Sequence, residues 1–111
     1  AMNAGCVVVA SHIIGSAPYL IKHEENGLVF KAGSYTSLTE EVLKIIDNTS
    51  YRKKMGMAAY EIIDTLWNPS TAAKRFIEFC NTKVVDRYQE GPCSKAVPVR
   101  EKRMYRKMIK R

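Results

Sequence analysis

The run Cys6-Val7-Val8-Val9-Ala10, set directly behind Gly5, constrains the fold of this chain more than any other stretch. An unbroken apolar run of this kind is the pattern of a strand buried on both faces, typical of parallel sheets with helices on either side. A second short run, Leu28-Val29-Phe30, repeats the signal. Between the two lie a polar loop from Ser11 to Ala17 and the segment Pro18-Tyr19-Leu20-Ile21, where proline suits the first turn of a short helix. Asn26-Gly27 ends that unit. Strand, helix and strand in this order make a crossover, so the two strands are expected to be parallel. Gly5 is expected to stop a helix that ends at Ala4.

The remainder reads as helical. Leu38, Val42, Ile45 and Ile46 recur at helix spacing behind Ser34, which is placed to cap that helix. A second stripe runs through Tyr51, Met55, Ala58, Ala59, Ile62 and Leu66. Gly56 stands inside it at a cost of about 1 kcal/mol relative to alanine, so close backbone packing is expected there. Asn68-Pro69 announces a third helix, a capping side chain followed by proline, which is expected to bury Ala73, Phe76, Ile77, Cys80 and Val84.

Composition enters where it divides the chain. Of the net charge of +7, none belongs to residues 1–82, which carry eight Lys/Arg against eight Asp/Glu; residues 83–111 carry ten against three. The expectation is therefore a neutral globular part, 1–82, and a basic tail, 83–111, joined through Gln89-Glu90-Gly91-Pro92-Cys93-Ser94, which reads as a linker or turn. Cys6, Cys80 and Cys93 lie far apart and form no CxxC pair, which argues against a disulfide framework or a zinc site; they are read as reduced thiols, two of them in a core. No apolar stretch reaches the roughly 18 residues of a membrane-spanning helix, and no leader pattern is present, so a cytoplasmic location is expected.

Two strands are too few for an independent sheet. The missing neighbours are expected from sequence upstream of Ala1 or from another chain.

The order of elements and their residues can then be set side by side: Ala1-Met2-Asn3-Ala4-Gly5-Cys6-Val7-Val8-Val9-Ala10-Ser11, then Gly15, then Pro18-Tyr19-Leu20-Ile21, then Glu25-Asn26-Gly27-Leu28-Val29-Phe30. This set resembles the C-terminal half of the nucleotide-binding domain of group-1 (family 4) glycosyltransferases of the GT-B fold. The likeness continues through Leu38 to Asp47, Arg52-Lys53-Lys54-Met55-Gly56, Ala59, and Trp67 to Phe76, and covers roughly residues 1–80. The fold class it implies is α/β: a partial Rossmann-like, GT-B C-terminal domain with short parallel strands followed by three helices and a basic tail.

The resemblance implies a retaining transfer of sugar from a nucleotide-sugar donor to a polysaccharide or glycolipid acceptor, without an essential metal or other cofactor. It also implies that the acidic residue holding the donor ribose would stand immediately ahead of Ala1, so that residue 1 lies in the middle of a protein. The catalytic machinery of the N-terminal domain would be absent as well. One loop departs from the family's usual Ser-Asp-x-Gly-Gly-x-x-Glu. Here it reads Ser11-His12-Ile13-Ile14-Gly15-Ser16-Ala17-Pro18-Tyr19, with an extra residue, one glycine fewer, and Tyr19 where an acid is usual.

Candidate residues follow from position. Ala1, Met2, Ser11, His12, Gly15 and Ser16 border the C-terminal end of the first strand, where open α/β sheets bind ligands. His12 reads either as a cleft residue touching donor or acceptor, or as a loop histidine bonded to backbone. Gly15 and Ser16 read either as N–H and hydroxyl donors or as turn residues. His23, beside Glu24-Glu25, has no second ligand at usable spacing; a solvated helix end accounts for it. Trp67 could stack on a sugar, but packing is the favoured reading, and Met55 and Met57 read as ordinary helix packing. In the basic tail a helix over 100–111 would set Met104, Tyr105, Met108 and Ile109 apart from Arg100, Lys102, Arg103, Arg106, Lys107, Lys110 and Arg111. Such a face suits an anionic membrane surface, a merely solvated tail explains the same charge, and nucleic acid has no stacking motif here to support it.

Two functions are therefore expected in competition. One is a glycosyltransferase fragment, inactive alone, at the inner face of the membrane. The other is a non-enzymatic module whose tail contacts an anionic membrane or another acidic partner.

Overall fold

Gly5 does stop a helical turn: Met2–Ala4 is a single 3-10 turn, and Gly5 follows in the left-handed region at φ 69° with its N–H bonded to the Met2 carbonyl. The computed structural model describes residues 1–84 and 87–94. The tail residues Arg100, Lys102, Arg103, Arg106, Lys107, Lys110 and Arg111, and the helix expected over 100–111, lie outside the described residues.

Two strands, β1 (Val9–Ser11) and β2 (Leu28–Phe30), flank the short helix α1 (Ala17–Leu20), which starts at a proline as expected. They pair in parallel with Val9 opposite Leu28, Ala10 opposite Val29 and Ser11 opposite Phe30. The ladder is shorter than the apolar run because its partner is short. Its first rung is the Leu28 N–H to the Val8 carbonyl at 2.9 Å, its last the His12 N–H to the Phe30 carbonyl at 3.0 Å. Gly27 makes the first rung possible, since a Cβ there would stand 2.9 Å from the Val8 oxygen and 3.0 Å from Ile21 Cγ2.

Three longer helices follow: α2 (Tyr35–Ile46), α3 (Thr49–Thr65) and α4 (Pro69–Thr82). Each begins at a side-chain cap. The oxygens of Ser34, Asn48 and Asn68 accept the N–H of Ser37, Tyr51 and Thr71, satisfying donors that a helix start leaves open. The molecule is thus α/β, with a partial Rossmann-like arrangement of parallel strands and helices.

The core has two parts. On one side of the sheet Ala10, Ala17, Ile21 and Val29 form a cluster, with Val8 and Leu20 packed against it. On the other, α2 packs on both strands and on α3, which lies across the 3-10 turn. There Gly56 meets Gly5 backbone to backbone: a Cβ on Gly56 would fall 2.3 Å from the Gly5 carbonyl oxygen. Close packing at Gly56 is therefore as expected, and Met55 and Ala59 beside it are fully buried.

Among the described residues Asn26 is polar and buried. Its Oδ1 accepts the Lys22 N–H at 2.7 Å and its Nδ2 donates to the Leu20 carbonyl at 3.0 Å, closing the end of α1.

Several expectations are corrected. Helix α4 buries none of its residues: Phe76 and Ile77 are 60% and 59% exposed, Ala73, Cys80 and the following Val84 are exposed too. The apolar spacing is real, but nothing among the described residues lies over that face. All three cysteines are exposed, so none is a core thiol. Met57 points to solvent rather than packing. His23 is not a solvated helix end, because its Nδ1 accepts the Val29 N–H at 3.0 Å and so occupies the outer edge of β2.

Candidate functional site: the loop closing the first strand

The loop 11–16 leaves the C-terminal end of β1, and its backbone is pinned at its start. His12 spends its N–H on the Phe30 carbonyl, while its Nδ1 accepts the Ala32 N–H at 3.0 Å. A ring nitrogen that accepts a backbone N–H carries no proton, so the proton of a neutral His12 is on Nε2. The side chain therefore ties β1 to the connection leading into α2. The backbone-bonded reading of His12 describes this geometry.

Ser11 Oγ lies at the limit of hydrogen bonding from the Ile13 N–H, 3.5 Å away. Gly15 differs from the other loop glycines in needing no special backbone: its φ is not left-handed and a Cβ would meet open space. Neither turn geometry nor packing accounts for it. Ser16 occupies the cap position of α1 without making a side-chain cap bond, so its hydroxyl is not consumed by the helix.

Two pockets meet at this loop. The first, of about 390 Å³, is bounded by Ala1, Met2, Val8, Ile14, Ser16 and Ile63. The second, of about 450 Å³, is bounded by Gly15, Ser16, Tyr19, Trp67, Cys93 and Ser94. Ser16 and Leu20 belong to both and form the ridge between them. Of the residues singled out by position, Ala1, Met2, Gly15 and Ser16 are thus brought together, and Ser11 and His12 stand behind them as half-buried supports. Among the described residues, no Lys, Arg, His, Asp or Glu side chain lines either pocket. Among the described residues no group of His, Cys, Asp or Glu could hold a metal ion. None of their helices is long and apolar enough to cross a membrane.

The second pocket has a wall that sequence reasoning passed over. Residues 87–94 fold back onto α4. Arg75 donates from Nη1 to the carbonyls of Glu90 and Pro92 at 2.6 and 3.0 Å, and its guanidinium carbon lies 4.1 Å from the centre of the Tyr88 ring. Tyr88 donates its phenol proton to Glu78, which holds the tyrosine's titration above its ordinary value of 10.0. Glu78 also pairs with Arg87 at 2.8 Å. Gly91 was legible as a turn, but its partners Arg75 and Leu66 are distant in sequence and leave no local signature. Trp67 is half-buried, and its indole nitrogen is sealed from solvent without a hydrogen-bond partner.

A separate charged cluster, Lys44 and Glu41 of α2 with Glu24 and with Tyr51 of α3, lies away from these pockets. Burial alone would lower the titration of Lys44, but its hydrogen bonds to Glu41 and Glu24 outweigh that and raise it above 10.5. Burial, with the charge of Glu24, likewise raises Tyr51.

Comparison with known proteins adds the family. Neither a search of curated proteins nor one of solved structures finds a match. The family model described as glycosyl transferases group 1 matches residues 1–62, more than half of the chain and the whole of the β1, α1, β2 and α2 unit, and the chain therefore belongs to the group 1 glycosyltransferases.

Proposed function

We propose that this chain is part of a retaining, GT-B-type glycosyltransferase that moves a sugar from a nucleotide-sugar donor to a polysaccharide or glycolipid acceptor, and that residues 1–111 do not catalyse transfer alone. The family match over residues 1–62 carries the first statement. The lining of the two pockets carries the second. A nucleoside diphosphate brings two or more negative charges, and burying them without a counter-charge is costly. Among the described residues no basic side chain lines either pocket, which supports a phosphate-holding group supplied from elsewhere in the protein.

The strands point the same way. The main-chain groups of Val8, Ala10 and His12 face β2, which leaves those of Val7 and Val9 facing the other side, where no strand lies among the described residues. A parallel strand with an open edge accepts a further strand, from elsewhere in the protein or from a second chain.

The test is a panel of nucleotide-sugar donors with glycan and lipid-linked acceptors, followed by release of nucleotide. The 111-residue chain is expected to show no turnover, and the enzyme that contains it with a donor-phosphate site is expected to transfer. Turnover by the 111 residues alone would overturn the second statement; a complete enzyme that turns over no nucleotide sugar would overturn the first.

The alternative reading rests on the charge division, ten Lys/Arg against three Asp/Glu in residues 83–111. In it the tail contacts the anionic inner face of a membrane and the α/β unit is a scaffold. Sedimentation with anionic vesicles at low salt, repeated after deletion of 99–111, tests it, and equal sedimentation with and without the tail removes it.

A further inference from the structure

The outer edge of β2 is closed by side chains. The main-chain groups of Leu28 and Phe30 face β1, so the N–H groups of Val29 and Lys31 face away from it. Each has a side-chain acceptor: Val29 donates to Nδ1 of His23 and Lys31 to Oγ of Ser37, both at 3.0 Å. The two acceptors differ in one respect. A serine oxygen accepts at any ordinary pH, whereas an imidazole nitrogen accepts only while it carries no proton. Val29 is 1% exposed, so water does not readily replace His23 on its amide, and a buried donor without an acceptor is costly.

On the far side of the ring a carboxylate waits. Nε2, which holds the proton of the neutral ring, lies 3.9 Å from Glu24 Oε1. Glu24 stands in the turn between α1 and β2 at φ 66°, a left-handed conformation uncommon for a residue with a side chain, and its N–H is bonded to the Gly27 carbonyl. The Glu24 carboxylate is also paired with Lys44 of α2 at 3.2 Å, and Lys44 holds Glu41 at 3.0 Å as well. Tyr51 of α3 reaches the Glu24 carbonyl at 3.5 Å. Among the described residues, then, the titratable and charged groups around His23 are Glu24 with its sequence neighbours Lys22 and Glu25, Lys44 and Glu41 from α2, and Tyr51 from α3.

One further proton changes both contacts of the ring at once. Taken from solvent at Nδ1, it sets an N–H against the Val29 N–H, and the ring becomes a cation beside the Glu24 carboxylate. Lys44 retains Glu41 when Glu24 turns to that cation. We propose that His23 is a proton-operated latch on the outer edge of β2: neutral, it closes the edge through Val29, and protonated, it pairs with Glu24 and leaves the edge open. The turn that carries it also closes α1 through Asn26, so the latch stands where the helix and the second strand of the β1, α1 and β2 unit meet.

Amide hydrogen exchange of the 111-residue chain tests this, followed residue by residue by NMR and corrected for the intrinsic pH dependence of exchange. The range is from about pH 8 to about pH 5, where histidine side chains change charge and carboxylates ordinarily stay ionised. The protection of Val29 should fall about tenfold across it, with a midpoint that coincides with the titration of the His23 ring resonances. Lys31, on the same edge, and Leu28, bonded to the Val8 carbonyl on the inner edge, should keep theirs. His23→Asn supplies a side-chain oxygen that accepts a hydrogen bond and gains no proton, so the protection of Val29 should become level with pH. His23→Phe should leave Val29 poorly protected throughout.

Circular dichroism verifies that each variant is folded, and the wild-type titration decides the matter without them. Constant protection of Val29 while the His23 ring titrates would overturn the latch, as would a ring that stays neutral to about pH 5. A parallel loss at Leu28 and Lys31 would overturn it too, since acid would then be loosening the whole sheet. So would a loss at Val29 that follows the ring of His12, which holds the Ala32 N–H beyond the other end of β2, or one that persists in folded His23→Asn.

Discussion

The contact between Gly56 and Gly5 and the outer face of α4 are built from equally regular helices, yet they do opposite things. At the first, two backbones touch and side chains on either side, Met55 and Ala59, lose all contact with water. At the second, Phe76 and Ile77 stay mostly in water although their spacing is that of a core stripe. Amphipathic periodicity says which face is apolar, and burial needs something to cover it. Tight backbone approach, by contrast, demands glycine whether or not anything else is known.

The sharpest way to break this contrast is Gly56→Ala. Alanine is the better helix former by about 1 kcal/mol, but overpacking costs about 1–3 kcal/mol and more when the obstructing atom is backbone, as the Gly5 oxygen is. A net loss of about 3 kcal/mol in urea unfolding is expected. A neutral or stabilising result would show that the 3-10 turn is not held against α3.

Asn26→Ala should come next, at about 2 kcal/mol, because it leaves the Lys22 N–H and the Leu20 carbonyl without partners in a buried position. Thermal unfolding of Asn26→Ala beside Asn26→Asp measures it. An unchanged midpoint for alanine would mean that water reaches the end of α1.

Alkaline titration is the third and smaller effect. The folded-state values of Tyr88, Tyr51 and Lys44 are all raised, so the stability linked to them is present below their unfolded values of 10.0, 10.0 and 10.5 and is lost as pH rises through the higher folded ones. Stability followed by denaturant midpoint should therefore stay level toward pH 10.0 and decline above it. Tyr88→Phe should weaken the decline, since the phenol proton given to Glu78 is then gone. A decline unaltered in Tyr88→Phe would detach the 87–94 wall from this linkage.

Smallest of all is the expected effect of Ile77→Gln on α4, within about 0.5 kcal/mol at a side chain already 59% exposed. A loss above about 1 kcal/mol would mean that the face is covered in solution. Light scattering of the same samples would then tell whether a second copy covers it.

Much of the fold was legible because its signals are local. The side-chain oxygens of Ser34 and Asn68 announce helix starts, Gly5 marks a stop, and two apolar runs around a short helix imply a parallel pair. Gly56 could be read as a point of close approach, though not its partner. The candidate loop could be placed at the end of β1 from order alone. Its pockets could not, because they are assembled by Ile63, Trp67 and residues 91–94 from well beyond it.

The sequence by itself determined the elements, their order, the parallel pairing and the family, since each depends on short-range periodicity, capping chemistry or a linear pattern of residues. Tertiary structure alone decided which apolar faces are covered, that His12 and His23 serve as acceptors for backbone N–H groups, and that Arg75 holds residues 87–94 against α4 as the wall of a pocket. Those outcomes rest on contacts between residues far apart in the chain, and geometry rather than composition sets such contacts.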